Sequence, residues 1–208
     1  MKDFKRNIYR IASEDSCPNC VAHNVPIGTQ NWAGCNATVS VYNNGNTIPY
    51  VDNQFVWNSL TTGAWCYYND DPSTEATYGK LYNWYAVNDP RGLAPTGYHV
   101  ATDAEWTILT DYLGGTNVAG GKMKETGFCH WNAPNTDATN TSLFTGLPGG
   151  LRNDNGNYGN IGLYGYWWSS TEWDTYSARI RFLNFSIDNA AIGFDSKRSG
   201  LSVRFIED

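Results

Sequence analysis

Positive charge is scarce in this chain. Fourteen Lys and Arg stand against twenty Asp and Glu, a net charge of −6, and all charged residues together make up 16% of the sequence. Phosphate backbones are held by Lys and Arg that displace counterions, so a nucleic-acid partner is disfavoured. Long apolar runs are missing as well. No stretch of eighteen apolar residues occurs, so no transmembrane segment is expected. The opening stretch MKDFKRNIYRIASEDS lacks the apolar centre of a secretion signal. The expectation is either a trimmed chain or one that reaches the exterior by another route, such as assembly into a phage particle.

Histidine is equally sparse. Only His23, His99 and His130 could serve as bases, and none sits in a nucleophile-elbow or papain-like context. The acid pairs Glu172 with Asp174 and Asp70 with Asp71 fall in polar turns and read as solvated carboxylates rather than as an acid/base couple. His99 reads as a structural, hydrogen-bonded residue. Catalysis and a cofactor are therefore not expected. Asn69-Asp70-Asp71 and Asn135-Thr136-Asp137 offer oxygen ligands for a hard cation, but nothing in the sequence demands one.

Cysteine is present in an awkward number. Cys17 and Cys20 form CPNC, while Cys35, Cys66 and Cys129 are dispersed. A lone CxxC is compatible with half a zinc site, a redox pair or a local disulfide. No second CxxC completes a ribbon, and adding His23 still leaves the ligand set short. A local disulfide, or free thiols near a mobile end, is the favoured reading. The odd count leaves one thiol unpaired or bonded to another chain.

Aromatic residues and glycine fill the space that charge leaves. Aromatics reach 15% with nine Trp, and there are 21 Gly. That mixture suits a loop-rich fold whose irregular segments are pinned by large rings. Residues 1–24 are polar and read as an arm for attachment or oligomerisation, followed by one domain over 25–208. In that domain IGTQNW at 27–32 reads as a strand, Asn43-Asn44-Gly45-Asn46 as a turn, and 52–60 as a short helix or covering loop. The spacing of Leu81, Trp84 and Tyr85 predicts a helix over 78–88. Thr102-Asp103-Ala104-Glu105 is a capping box. Trp106, Leu109 and Leu113 extend one helical face from it, until Gly114-Gly115 stops the helix. Residues 116–160 read as mostly irregular, with a strand or turn near Gly120 and a hairpin tip at 153–157.

The last quarter concentrates the remaining signals. Tyr164, Tyr166, Trp167 and Trp168 form an aromatic block before Ser169-Ser170-Thr171-Glu172, and Gly200 to Ile206 alternates like a closing strand. Because strand side chains alternate, Arg179, Arg181, Leu183 and Phe185 share one face, and Ile180, Phe182, Asn184 and Ser186 the other. Neither face is cleanly apolar. Either the sheet is buried on both faces, or one face presents large apolar side chains to solvent. Between Asp174 and Ser202 there is no Glu, Gln, Met or Trp. What is present approximates the residues reached when the first two positions of an Asn codon are randomised.

These blocks resemble a known family. YWWSSTE, the irregular run after it and GLSVRF are similar to the end of the Fibrobacter succinogenes major paralogous domain. The resemblance continues upstream through IGTQNW, WCYYND, TYGKLYNWYAV, APTGYHVATDAEWTIL, LGGTNVAGGKMKETG, HWNAPNTDATN and LPGGLR, in the family's order, over roughly 27–206. It implies an α+β, C-type-lectin-like fold of the formylglycine-generating-enzyme type, with a small twisted sheet, two helices and long loops. It also implies a variable protein of a diversity-generating retroelement, outside the cell on a cell or phage surface, whose stretch 173–199 binds a protein or cell-surface receptor. The cysteine pair of the formylglycine-generating enzymes does not carry over, since no Cys follows Cys129. The EPN, QPD and WND sugar motifs of animal lectins are absent too. A non-variable adhesive or structural domain, or a carbohydrate-binding lectin, is the alternative.

On this reading the binding face comprises Ile180, Phe182, Asn184 and Ser186 on the strand, with Asp174, Tyr176, Asp188, Ala191, Gly193, Phe194, Asp195 and Ser196 from its flanks. Tyr176, Phe182 and Phe194 are the expected hot spots. The block at 164–168 is expected to be scaffold, with one of Trp167 and Trp168 in the core and the other at its rim.

Overall fold

The computed structural model describes residues 17–208. In chain order its first half holds β1 (Asn24–Ile27), β2 (Gln30–Ala33), α1 (Gln54–Asn58), β3 (Trp65–Cys66), α2 (Glu75–Tyr78), β4 (Leu81–Tyr82), α3 (Trp84–Val87) and β5 (Tyr98–Val100). The second half holds α4 (Asp103–Tyr112), α5 (Thr116–Met123), β6 (Gly149–Arg152), β7 (Tyr158–Ile161), β8 (Tyr164–Glu172), β9 (Ser177–Asn184), β10 (Ala190–Ser196) and β11 (Phe205–Glu207). The architecture is mixed α+β, mostly sheet with few helices.

A five-stranded sheet in the order β10-β9-β8-β6-β7 dominates, and a four-stranded sheet in the order β1-β2-β11-β5 joins the two ends of the domain. IGTQNW is not one strand: Ile27 ends β1 and Gln30-Asn31-Trp32 lie in β2, with a two-residue turn between them. Gly28 in this turn has φ +63°, a conformation that costs a residue without Cβ nothing. The alternating run at the C-terminus also divides. Leu201 bridges to Tyr82 and Ser202 to Trp167 before β11 begins, so this segment stitches β4 to β8.

The capping box forms as its residues dictate. Thr102 Oγ1 accepts the Glu105 N–H, the Glu105 carboxylate accepts the Thr102 N–H, and α4 buries Trp106 and Leu109. Two other readings fail, one of a helix and one of a strand or turn. The segment 78–88 holds β4 and the single turn α3, because Tyr82 and Leu81 are claimed by strand pairing with Trp65 and Cys66. The segment around Gly120 is helix α5 rather than a strand. Gly120 and Gly121 face the β9–β10 turn so closely that a Cβ on Gly120 would stand 2.1 Å from the Asn189 carbonyl oxygen. Glycine, a poor helix former by propensity, is here the residue that lets helix and turn touch.

Two aromatic cores flank β8. One gathers Tyr42, Trp65, Tyr82, Trp84, Trp168, Ile180, Leu201 and Val203, the other Trp32, Trp106, Leu109, Trp131, Phe144, Trp167, Leu183 and Ile206. Trp167 and Trp168 are adjacent, so their side chains leave β8 on opposite faces and each enters a different core. Both are fully buried, and neither is at a rim. The Trp167 Nε1–H donates to Asn36 Oδ1 at 2.8 Å and the Trp168 Nε1–H to the Tyr82 carbonyl at 2.8 Å.

CPNC does not close on itself. Cys17 bonds Cys129 and Cys20 bonds Cys35, leaving Cys66 as a buried thiol that burial pushes up to about 11. The expected arm therefore divides. Residues 1–16 lie outside the described residues, while 17–24 are fastened to the domain by two disulfides and by Asn24, which opens β1.

A candidate binding surface on the second sheet

β9 explains why neither of its faces looked clean. Register puts Tyr166, Phe182 and Ala191 on one face with Trp168, Ile180 and Gly193, and puts Trp167, Arg181 and Ile192 on the other with Arg179 and Phe194. The first face is core for most of its length. Ile180 is 4% exposed, packed with Trp168 and Val203, so it is not an outward residue. Asn184 is buried too. Its side-chain oxygen accepts the Ser186 N–H and hydroxyl, and its carbonyl is held by Lys124 at 3.0 Å. Phe182 is half-buried against Tyr164 and Tyr166, with ring centroids 6.3 and 5.9 Å away. Ala191 and Gly193 share this half-covered face.

The other face changes character along the strand. At one end Leu183 and Ala190 are core. Arg181 follows, buried, its guanidinium paired with Asp103 and donating to the Thr107 hydroxyl at 3.2 Å. Beyond this contact with α4 the face opens. Ile192 is 48% exposed and Phe194 59% exposed. Trp173 stacks on Phe194 with centroids 5.8 Å apart, and the Arg179 guanidinium lies 3.7 Å from the Trp173 ring centre. Tyr176, 80% exposed, stands at the tip of the β8–β9 turn beside this platform.

The turn is built tightly. The Asp174 carboxylate accepts the N–H groups of Tyr176 and Ser177 at 2.8 and 2.7 Å, and these bonds hold it below the usual carboxylate range. Lys197, buried beneath, ion-pairs with Glu172 and donates to the Thr175 carbonyl at 2.9 Å, while its backbone N–H donates to the Tyr176 carbonyl. Asp174 is thus a turn former as well as an exposed side chain. Asp195 is half-buried and faces Ala178; burial raises its carboxyl, although it accepts the Ser199 hydroxyl and the Ser196 N–H. Ser186 is exposed, and Asp188 is half-buried with its carbonyl accepting the Gly121 N–H at 2.8 Å.

Of the twelve sequence-predicted residues, the structure gathers Tyr176 and Phe194 at the platform, with Asp174 in the turn beside it. It separates Phe182, Ala191 and Gly193 onto the reverse face and withdraws Ile180 and Asn184 into the interior. The platform also contains Trp173, Arg179 and Ile192, which the alternation missed. Assigning Leu183 inward assigned Arg179 inward with it, whereas α4 and α5 cover that face only as far as Arg181. The alternation of Ile192 with Phe194 in β10 was the available signal. The platform has no His or Cys, so what it offers is contact area, one guanidinium and polar rims.

The geometry defines a class: an aromatic-cored α+β domain whose long C-terminal hairpin bears an exposed apolar and cationic platform. The chain belongs to the Fibrobacter succinogenes major domain family, whose model matches residues 25–207. Neither the curated proteins nor the solved structures offer a match.

Proposed function

We propose that this is a binding module that presents residues 173–199 to a protein or cell-surface receptor, in a C-type-lectin-like fold and as the variable protein of a diversity-generating retroelement. The supporting observation is the platform of Trp173, Tyr176, Arg179, Ile192 and Phe194. Rigid rings give contact area at low entropy cost, and aromatic and Arg residues dominate binding hot spots. A partner of standard size would bury roughly 800 Å² on this side.

A second feature favours diversification. The end of β9 and the β9–β10 turn, 184–188, are held through backbone carbonyls by residues outside the stretch. The Lys124 ammonium donates to the carbonyls of Asn184 and Ile187, the Gly121 N–H to that of Asp188, and the Thr136 N–H to that of Phe185. Such bonds survive side-chain replacement. Two disulfides suit an oxidising location such as a cell or particle surface. The test is to compare the coding sequence with a nearby template repeat. Substitutions at template adenines confined to codons 173–199 support the reading; a locus with no repeat, or with changes spread over the chain, leaves a non-variable adhesive domain in its place.

A further inference from the structure

The N-terminal cysteine pair, incomplete as a metal site in the sequence, acquires partners in the fold. Among the described residues, the sulfurs of Cys17 and Cys129 and a ring nitrogen of His130 all lie within 4.8 Å of one another. The histidine is already oriented. The Glu125 carboxylate sits 2.8 and 3.0 Å from His130 Nδ1, and the two side chains are 13% and 6% exposed. With its proton on Nδ1 facing this carboxylate, the imidazole keeps its lone pair on Nε2. A carboxylate behind a histidine in this manner fixes ring orientation and raises ligand basicity at zinc sites.

The loop that carries this frame is tied to the domain by contacts besides the disulfide. Asn135 Nδ2 donates to the carbonyls of Glu125 and Gly127 at 2.9 and 2.8 Å, the Glu125 N–H donates to the Gly146 carbonyl, and the His130 ring packs edge-on against Tyr78. The Trp131 Nε1–H also donates to the Gly146 carbonyl, and its ring is buried in the second core. Cys17 and Cys129 are both solvent-exposed, so a reductant can reach them.

We propose that the reduced chain binds one zinc ion through Cys17, Cys129 and His130, with Glu125 positioning the histidine and water completing the tetrahedron. Two soft thiolates and an imidazole are a zinc donor set. The step balances with a two-electron reductant such as a dithiol. The reductant becomes a disulfide, the Cys17–Cys129 bond becomes two thiols, and zinc displaces their two protons to solvent. Every copy passes through this thiol state when it is synthesised in a reducing compartment, before oxidation closes the pair. Metal and disulfide are therefore mutually exclusive states of one site.

The experiment uses the full chain, reduced without air by a phosphine and given Zn²⁺, then alkylated and mapped by mass spectrometry. The expected result is one zinc per chain, with Cys17 and Cys129 protected while Cys20 and Cys35 alkylate. The oxidised chain should bind none. Co²⁺ in place of Zn²⁺ should give thiolate-to-metal charge-transfer absorption, which Cys17→Ser/Cys129→Ser abolishes and for which His130→Ala demands a higher Co²⁺ concentration. Glu125→Gln should weaken zinc binding roughly 10- to 100-fold. Absence of protection, or protection of Cys20 and Cys35 instead, overturns the proposal. So does a reduced chain that loses its near-ultraviolet tryptophan signal before zinc is added, because the frame at 125–135 must outlast the disulfide.

Discussion

Thr102 and His99 show how much single side chains decide at the start of α4. The reciprocal bonds between Thr102 and Glu105 satisfy donors that a helix start otherwise leaves open, so Thr102→Ala should cost about 1 kcal/mol in a denaturant melt. Glu105 has a second task. Its carboxylate and that of Asp208 each lie 2.7 Å from the His99 ring, one at either nitrogen. Partial burial opposes a charge on His99, but the hydrogen bonds and charges of Asp208 and Glu105 outweigh it and raise its pKa above the ordinary value. A raised folded-state pKa means that this stabilisation is complete below the unfolded value, about 6.5. It is lost as pH climbs through the higher folded value. His99→Gln should therefore narrow the stability gap to wild type as pH rises from about 6 to about 8, measured by urea unfolding at each pH. A gap that widens over that range would contradict the assignment. The capping box was readable from four consecutive residues because its geometry is local. The His99 pair was not, since Asp208 arrives from 109 positions away.

At the scale of elements, the β9–β10 hairpin separates residues that the fold requires from residues that it carries. Ile180→Ala should cost about 2–5 kcal/mol, because it opens a cavity beneath Trp168. Phe194→Ala and Tyr176→Ala remove exposed rings and should each stay within about 1 kcal/mol of wild type. Thermal melts of the three variants check this. Equal losses at Ile180 and Phe194 would mean that the platform is core. Alternation alone could not rank these positions, because the same face of β9 is buried at Leu183 and open at Arg179. What decides is where α4 and α5 end, and α5 itself was illegible. Its Gly120-Gly121 pair argues against helix by propensity, and only its contact with the Asn189 and Asp188 carbonyls explains it. The helix expected over 78–88 failed for a related reason, since an apolar spacing that fits a helical face served a strand claimed by β3.

Over the whole molecule, two tryptophan-rich cores and two disulfides, one short-range and one long-range, hold a chain with much irregular backbone. The Cys17–Cys129 bond spans 112 residues, so removing it as Cys17→Ser/Cys129→Ser should lower stability by about 2–5 kcal/mol while the domain stays folded at room temperature. Calorimetry of the double variant reads this directly. The family, the α+β class and the aromatic pinning of loops were visible in the order of sequence blocks and in the nine Trp. The disulfide partners were not, because pairing over such separations depends on where β1, β2 and the loop before Trp131 meet. The central claim is that this rigid frame leaves the platform free to change. The direct measurement is a display library randomised jointly at Tyr176, Ile192 and Phe194, beside one randomised at Ile180, Arg181 and Leu183, each scored for the fraction of variants that resist protease. The account predicts that most of the first library survives and most of the second is digested; equal digestion of both would show that the platform is part of what holds the fold together.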